Sequence, residues 1–119
     1  MTQCFGVYDY GVIIFEDDIH DDYREEDDTV DFSTFEANNL TSYSGFSGSV
    51  WNLKTEEPLD FGYKSFVFAS VKHFPNFYKV VYKNYEEIKA ELQTEFGDLV
   101  KDAFPWDDRI VKIAGVIYG

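Results

Sequence analysis

Apolar residues along this chain gather in short, dense runs rich in Val, Ile, Phe and Tyr, the pattern of strands; one stretch alone repeats them at helical spacing. Residues 4–15 (CFGVYDYGVIIF) read as one strand or a hairpin, with Gly6 and Gly11 as places for a bend or a bulge. Residues 40–53 (LTSYSGFSGSVWNL) predict a strand bent at Gly45 or Gly48. Residues 54–60 (KTEEPLD) predict a polar turn around Pro58. Residues 61–72 and 77–82 are strand runs joined by His73, Phe74, Pro75 and Asn76, most simply a β-hairpin. In the second run Tyr78, Val80 and Tyr82 alternate with Lys79 and Lys83, the signature of a half-buried strand. Residues 109–118 (RIVKIAGVIY) predict a final strand.

The helical exception covers residues 85–103. Ile88, Leu92, Phe96, Leu99 and Ala103 fall on one stripe. Asn84 stands as N-cap with Glu87 three residues on, a capping-box spacing, and Glu86 and Glu87 lie at the positive end of the helix dipole. Gly97 costs roughly 1 kcal/mol relative to Ala in a helix interior, which predicts a late kink or an early end. Pro105 stops the element. Strands, one helix and a closing strand predict an α+β domain over residues 1–119. Its amphipathic helix would pack on one face of a mainly antiparallel, twisted sheet.

Residues 16–31 (EDDIHDDYREEDDTVD) interrupt this pattern. Ten of the sixteen are acids, and Arg24 is the one base. Two readings stand side by side: a loop, or a short helix in which Ile19 and Tyr23, at i and i+4, face the core. Repeated like charges at helical spacing oppose the second. Phe32 and Phe35, just beyond, are expected as core anchors.

Charge changes the picture more than overall composition does. Residues 1–60 hold fifteen acids against two bases, Arg24 and Lys54, for a net of −13; residues 61–119 hold eight of each and cancel. The formal charge of the protein therefore belongs to its first half, and −9 of it to residues 16–31. Solubility is served by scattered charge, whereas charge gathered in one place sets up a field aimed at a basic partner or a cation. Such a field repels anionic lipid and nucleic acid, so neither a membrane nor direct nucleic-acid binding is expected. The 19 % aromatic content excludes a disordered acidic tail. The single Cys4 forms no internal disulfide, and no signal sequence or spanning run is evident, so a cytoplasmic protein is expected.

Candidate chemistry is sparse. An EF-hand loop needs spaced ligands and a central Gly, but Asp17-Asp18 and Asp21-Asp22 are doubled and residues 16–31 contain no Gly. Zinc would have one Cys and two distant histidines, His20 and His73. His20 reads as a surface residue tempering local repulsion, His73 as a loop residue, and Cys4 as a small buried apolar group. No nucleophile elbow or phosphate loop is present; Gly45-Phe46-Ser47-Gly48 is too short and lacks the Lys. No enzyme activity, cofactor or specific metal site is expected. Tyr8, Tyr10, Tyr43, Trp51, Tyr63, Tyr78 and Tyr82 are expected as core and edge packing, with some of the Tyr suited to an interface.

Duplex DNA carries one charge per ~1.7 Å of axis, or ~3.4 Å per strand. Ten carboxylates on a sixteen-residue helix of ~24 Å would give one per ~2.4 Å. Fully extended, the density falls to one per ~5.4 Å. By this character the chain resembles the small acidic DNA-mimic proteins of phages and mobile elements, of the anti-restriction and anti-CRISPR kind. The residues carrying the likeness are Glu16, Asp17, Asp18, Asp21, Asp22, Glu25, Glu26, Asp27, Asp28 and Asp31. It is a likeness of size, composition and charge placement, and those inhibitors share no common fold. It implies a protein that occludes the basic nucleic-acid-binding site of a host defence nuclease complex. Asp9, Glu36, Glu56, Glu57 and Asp60 are candidate extensions of the surface. The alternatives are an immunity protein or antitoxin that masks a basic nuclease toxin, with aromatic anchors around its acids, and a divalent-cation-binding accessory protein. Oligomeric state is left open.

Overall fold

The computed structural model describes residues 4–35, 38–42, 46–60, 62, 64–70 and 84–118. Five strands, β1 (Cys4–Phe15), β2 (Phe46–Asn52), β3 (Pro58–Leu59), β4 (Ser65–Ala69) and β5 (Ile110–Tyr118), form one antiparallel sheet in the order β3-β2-β5-β1-β4. Helix α1 (Tyr85–Phe96) and the four-residue helix α2 (Trp106–Arg109) complete the α+β domain. The last strand fills the middle: β5 pairs along one edge with β1, from Cys4↔Tyr118 to Val12↔Ile110, and along the other with β2. Both neighbours are antiparallel to β5 and hence parallel to each other.

β1 is a single strand, and its run Val12, Ile13, Ile14 is buried on both faces. A continuous apolar run without alternation is what a central, two-sided strand requires. One face carries Tyr10, Val12, Ile14, Phe68 and Ile110 under Ile88, Leu92 and Phe96 of α1. The other carries Ile13, Val50, Val67, Val111 and Ile113, packed with Leu40. Phe32 and Phe35 are half-buried on the helix side, their rings 5.6 Å and 6.4 Å from that of Phe68.

Helix α1 begins as its cap predicts: the Asn84 side chain accepts the Glu87 N–H at 2.9 Å and donates to the Glu87 carboxylate at 2.8 Å. It ends at Phe96 and not near 103. Gly97 N–H still bonds Gln93 O at 2.9 Å, but Leu99 N–H turns back to Phe96 O, and Val100 leaves to pair with Ile19. Leu99 stays buried, Ala103 is exposed, and Phe104 takes the next place in the core.

Three further expectations are corrected. The strand expected over 40–53 begins only at Phe46. Leu40–Ser42 is a 3-10 turn, because the Asn39 side chain accepts the Thr41 N–H at 3.1 Å and also its hydroxyl. Pro58 lies in the edge strand β3, opposite Trp51. Glu57 on one side of it accepts from Asn52 and Leu59 on the other pairs with Val50, so the missing N–H faces away from β2. The strand run expected over 61–72 narrows to Ser65–Ala69 among the described residues. The hairpin turn 73–76, the strand 77–82, Glu36, Tyr43 and Tyr63 lie outside the described residues, as do the side chains of Cys4 and Tyr8.

Candidate acidic interface

Residues 16–31 cover the end of the sheet where β1 stops and β4 and β5 begin. The segment is neither an α-helix nor an extended chain. Glu16–Asp18 and Asp21–Tyr23 are single 3-10 turns separated by extended residues. Arg24 and Val30 then pair across a tight hairpin. Its loop is closed by Asp28 N–H to Glu25 O at 2.9 Å and Glu25 N–H to Thr29 O at 2.8 Å. Asp28 sits at φ 65°, the left-handed position that a three-residue hairpin loop of this kind demands and that Asp tolerates better than most residues. Like charges at i and i+4 disfavour a continuous helix here, and short turns reach the same inward placement without one. Ile19 is fully buried, while Tyr23 and Val30 are half-buried against the core beneath α1.

Backbone bonds fasten the segment at its start and close it on itself at its end. Glu16 N–H donates to Lys64 O at 2.8 Å, and Asp31 N–H to Tyr23 O at 2.8 Å. The turn after α1 adds the Ile19–Val100 bridge, made by two bonds, His20 N–H to Leu99 O at 2.8 Å and Lys101 N–H to Asp18 O at 2.9 Å. The acids therefore rest against the C-terminal end of α1, the negative end of its dipole.

With the backbone held in this way, eight of the ten expected residues point to solvent: Asp17, Asp21, Asp22, Glu25, Glu26, Asp27, Asp28 and Asp31. Glu16 is half-buried. Asp18 is turned inward: its Oδ2 accepts from Arg109 Nη1 at 2.6 Å and from the Phe15 N–H at 3.0 Å. Arg109 is in turn stacked 4.5 Å from the centroid of the Phe15 ring. Among the exposed acids, the Thr29 hydroxyl and amide hold Asp27 below the usual carboxylate range. Asp31 accepts the Ser33 N–H at 2.9 Å. His20 Nδ1 accepts the Asp22 N–H at 3.1 Å, and the Asp22 carboxylate lies 3.5 Å from the same nitrogen.

The candidate extensions divide. Asp9 is 2 % exposed: it shares a face of β1 with Ile13, opposite Ile113, and its Oδ1 accepts the Tyr10 N–H at 2.7 Å. It is no part of the surface. Glu56, Glu57 and Asp60 are exposed beside β3, across β5 from the acidic segment. Two acids that the sequence reading passed over do join it. Asp98 and Asp102 line a shallow groove of about 490 Å³ with His20, Asp22 and Tyr23. Their only signal is the Ile19–Val100 pairing, which joins positions 81 apart and is invisible to local patterns. At the other side of this end, Asp107 is held below the usual carboxylate range, first by the Tyr85 hydroxyl at 2.5 Å and then by Lys89 at 3.0 Å.

Among the described residues, no group of three or more His, Cys, Asp or Glu side chains is arranged to hold a metal ion. No helix among them is long and apolar enough to cross a membrane. Comparison with models of known protein families, with characterised proteins and with solved structures finds no match.

Proposed function

We propose that this protein is an inhibitor that presents residues 16–31 as a phosphate-like surface to the basic nucleic-acid-binding site of a host defence nuclease complex. It acts by competition, without catalysis, in the cytoplasm of the host. The observation that carries this reading is the exposure of eight carboxylates on one folded segment whose apolar residues point inward. Such a surface steers a cationic partner from a distance and loses its hold as salt rises. The immunity-protein reading calls for aromatic anchors around the acids. Here Tyr23, Phe32 and Phe35 pack against the core, and the ring of Phe15, 37 % exposed, is stacked on Arg109, which favours the electrostatic reading.

The test is retention of host proteins on the immobilised protein at low salt, eluted with rising salt and with duplex DNA as competitor. A nuclease complex released by DNA, and not retained by the variant D21K/D22K/E25K/E26K, is the expected result. Equal retention by that variant, once circular dichroism shows it folded, overturns the reading. A single small basic toxin that ignores DNA turns it to immunity.

A further inference from the structure

We infer that Arg24, the one base within the acidic segment, is a positioning residue that fixes the shape in which the acids are presented. The inference rests on the reading of residues 16–31 as a partner-binding surface and deepens it. The Arg24 side chain is 12 % exposed, unusually covered for an arginine among exposed acids. Its guanidinium reaches three separate parts of the segment. Nη2 donates to the Glu16 carbonyl in the first turn, Nη1 lies 3.4 Å from Asp28 at the hairpin tip, and Nε lies 4.0 Å from Asp21 in the second turn. The planar fork of an arginine spans such a set, whereas the point charge of a lysine does not. Asp21 and Asp28 stay 87 % and 83 % exposed while in contact, so the clasp works from beneath and leaves their carboxylates outward.

A surface held in its binding shape avoids the ordering cost of association. Charge alone and shape then make opposite predictions. Arg24→Met lowers the formal net charge from −13 to −14 and, if charge alone mattered, would tighten binding to any cation. If Arg24 positions the acids, the variant binds a rigid cationic partner more weakly although it is more negative.

The experiment compares wild type, R24M and R24K against two probes: a stapled helical peptide with six arginines on one face, and a flexible linear peptide of the same composition. Amide hydrogen exchange is followed in parallel. R24M is expected to lose about threefold or more in affinity for the stapled peptide, with R24K between it and wild type and no loss toward the flexible one. The Glu25, Asp28 and Asp31 amides exchange faster in R24M, while those of the paired centre of β1 and β5 keep their rates and report an intact fold. Unchanged exchange at Glu25, Asp28 and Asp31, or tighter binding of R24M to the stapled peptide, overturns the inference. If wild type binds neither peptide, the reading of the surface fails, and hydrogen exchange still decides what Arg24 does to its shape.

Discussion

Individual acids in this protein do different work, and burial separates them. Asp18 and Arg109 are both 19 % exposed and meet at 2.6 Å, and Asp18 also accepts the last N–H of β1. Removing one partner of a half-buried, charge-assisted set costs about 2–3 kcal/mol, so Asp18→Ala should lower the urea midpoint clearly with little change in slope. Asp22→Asn or Glu26→Gln, at solvent-facing positions, should stay within about 0.5 kcal/mol of wild type. The opposite end of the pH scale is set by Tyr10. Burial first, and then the Glu91 carboxylate bonded at 3.2 Å, push its hydroxyl well above the ordinary tyrosine range. The folded state therefore keeps a proton that the unfolded chain gives up near pH ~10. The stabilisation is complete below that pH and drains away as pH rises toward the folded value. Urea midpoints taken from pH 8 to 11.5 should fall for wild type, and fall less for Tyr10→Phe, which has no proton to lose at that position.

At the scale of elements, the clearest signals are those in which local and tertiary physics agree. The N-cap at Asn84 is such a case, and Asn84→Ala should cost about 1 kcal/mol of stability, measurable by thermal or urea unfolding. Gly11 reads in the sequence as a bend or bulge and has another cause. β1 and β4 approach so closely there that a Cβ would stand 2.0 Å from Phe68 O and 2.9 Å from Ile113 Cδ1. Gly11→Ala should therefore destabilise by about 3 kcal/mol through overpacking, although the strand around it is regular. β1, the stripe of α1 and the final strand were legible because each is long and rich in apolar residues. Leu40–Ser42 was not, since its turn hangs on one Asn39 side chain. Nor was β3, with two residues and a proline, or α2, a single turn. For the candidate site, the sequence showed where the acids lie; it turned Ile19 and Tyr23 inward only in its helical reading, and the structure turns them inward through 3-10 turns instead. The sequence did not show the inward turn of Asp18, the burial of Asp9 or the arrival of Asp98 and Asp102. Those follow from strand register and from contacts between distant segments, which no local window contains.

Over the whole molecule, charge is segregated while the core is not. The sheet is sealed by its last strand, β5, and by apolar residues on both faces, so residues 16–31 can carry their charge without entering the core beyond Ile19, Tyr23 and Val30. The segregation has an energetic consequence. Eight exposed carboxylates repel one another, and Arg24 offsets this through two loose contacts, at 3.4 Å and 4.0 Å, to side chains that are mostly solvated. Exposed pairs of that kind contribute about 0–1 kcal/mol each, so repulsion is the larger sum and salt should relieve it. The Debye length shrinks from ~10 Å at 0.1 M to ~3 Å at 1 M, across the range over which neighbouring surface charges act. The urea midpoint of wild type should therefore rise with NaCl over that interval. The D21K/D22K/E25K/E26K variant, whose net charge moves from −13 to −5, should be at least as stable at 0.1 M and respond less to salt. NaCl acts on the hydrophobic term of both proteins alike, so the difference between their slopes isolates the charge. Equal slopes would mean that the turns and the arginine already balance the acids; a steeper wild-type slope would show that the fold carries an unfavourable field at this end, one that a basic partner relieves on binding.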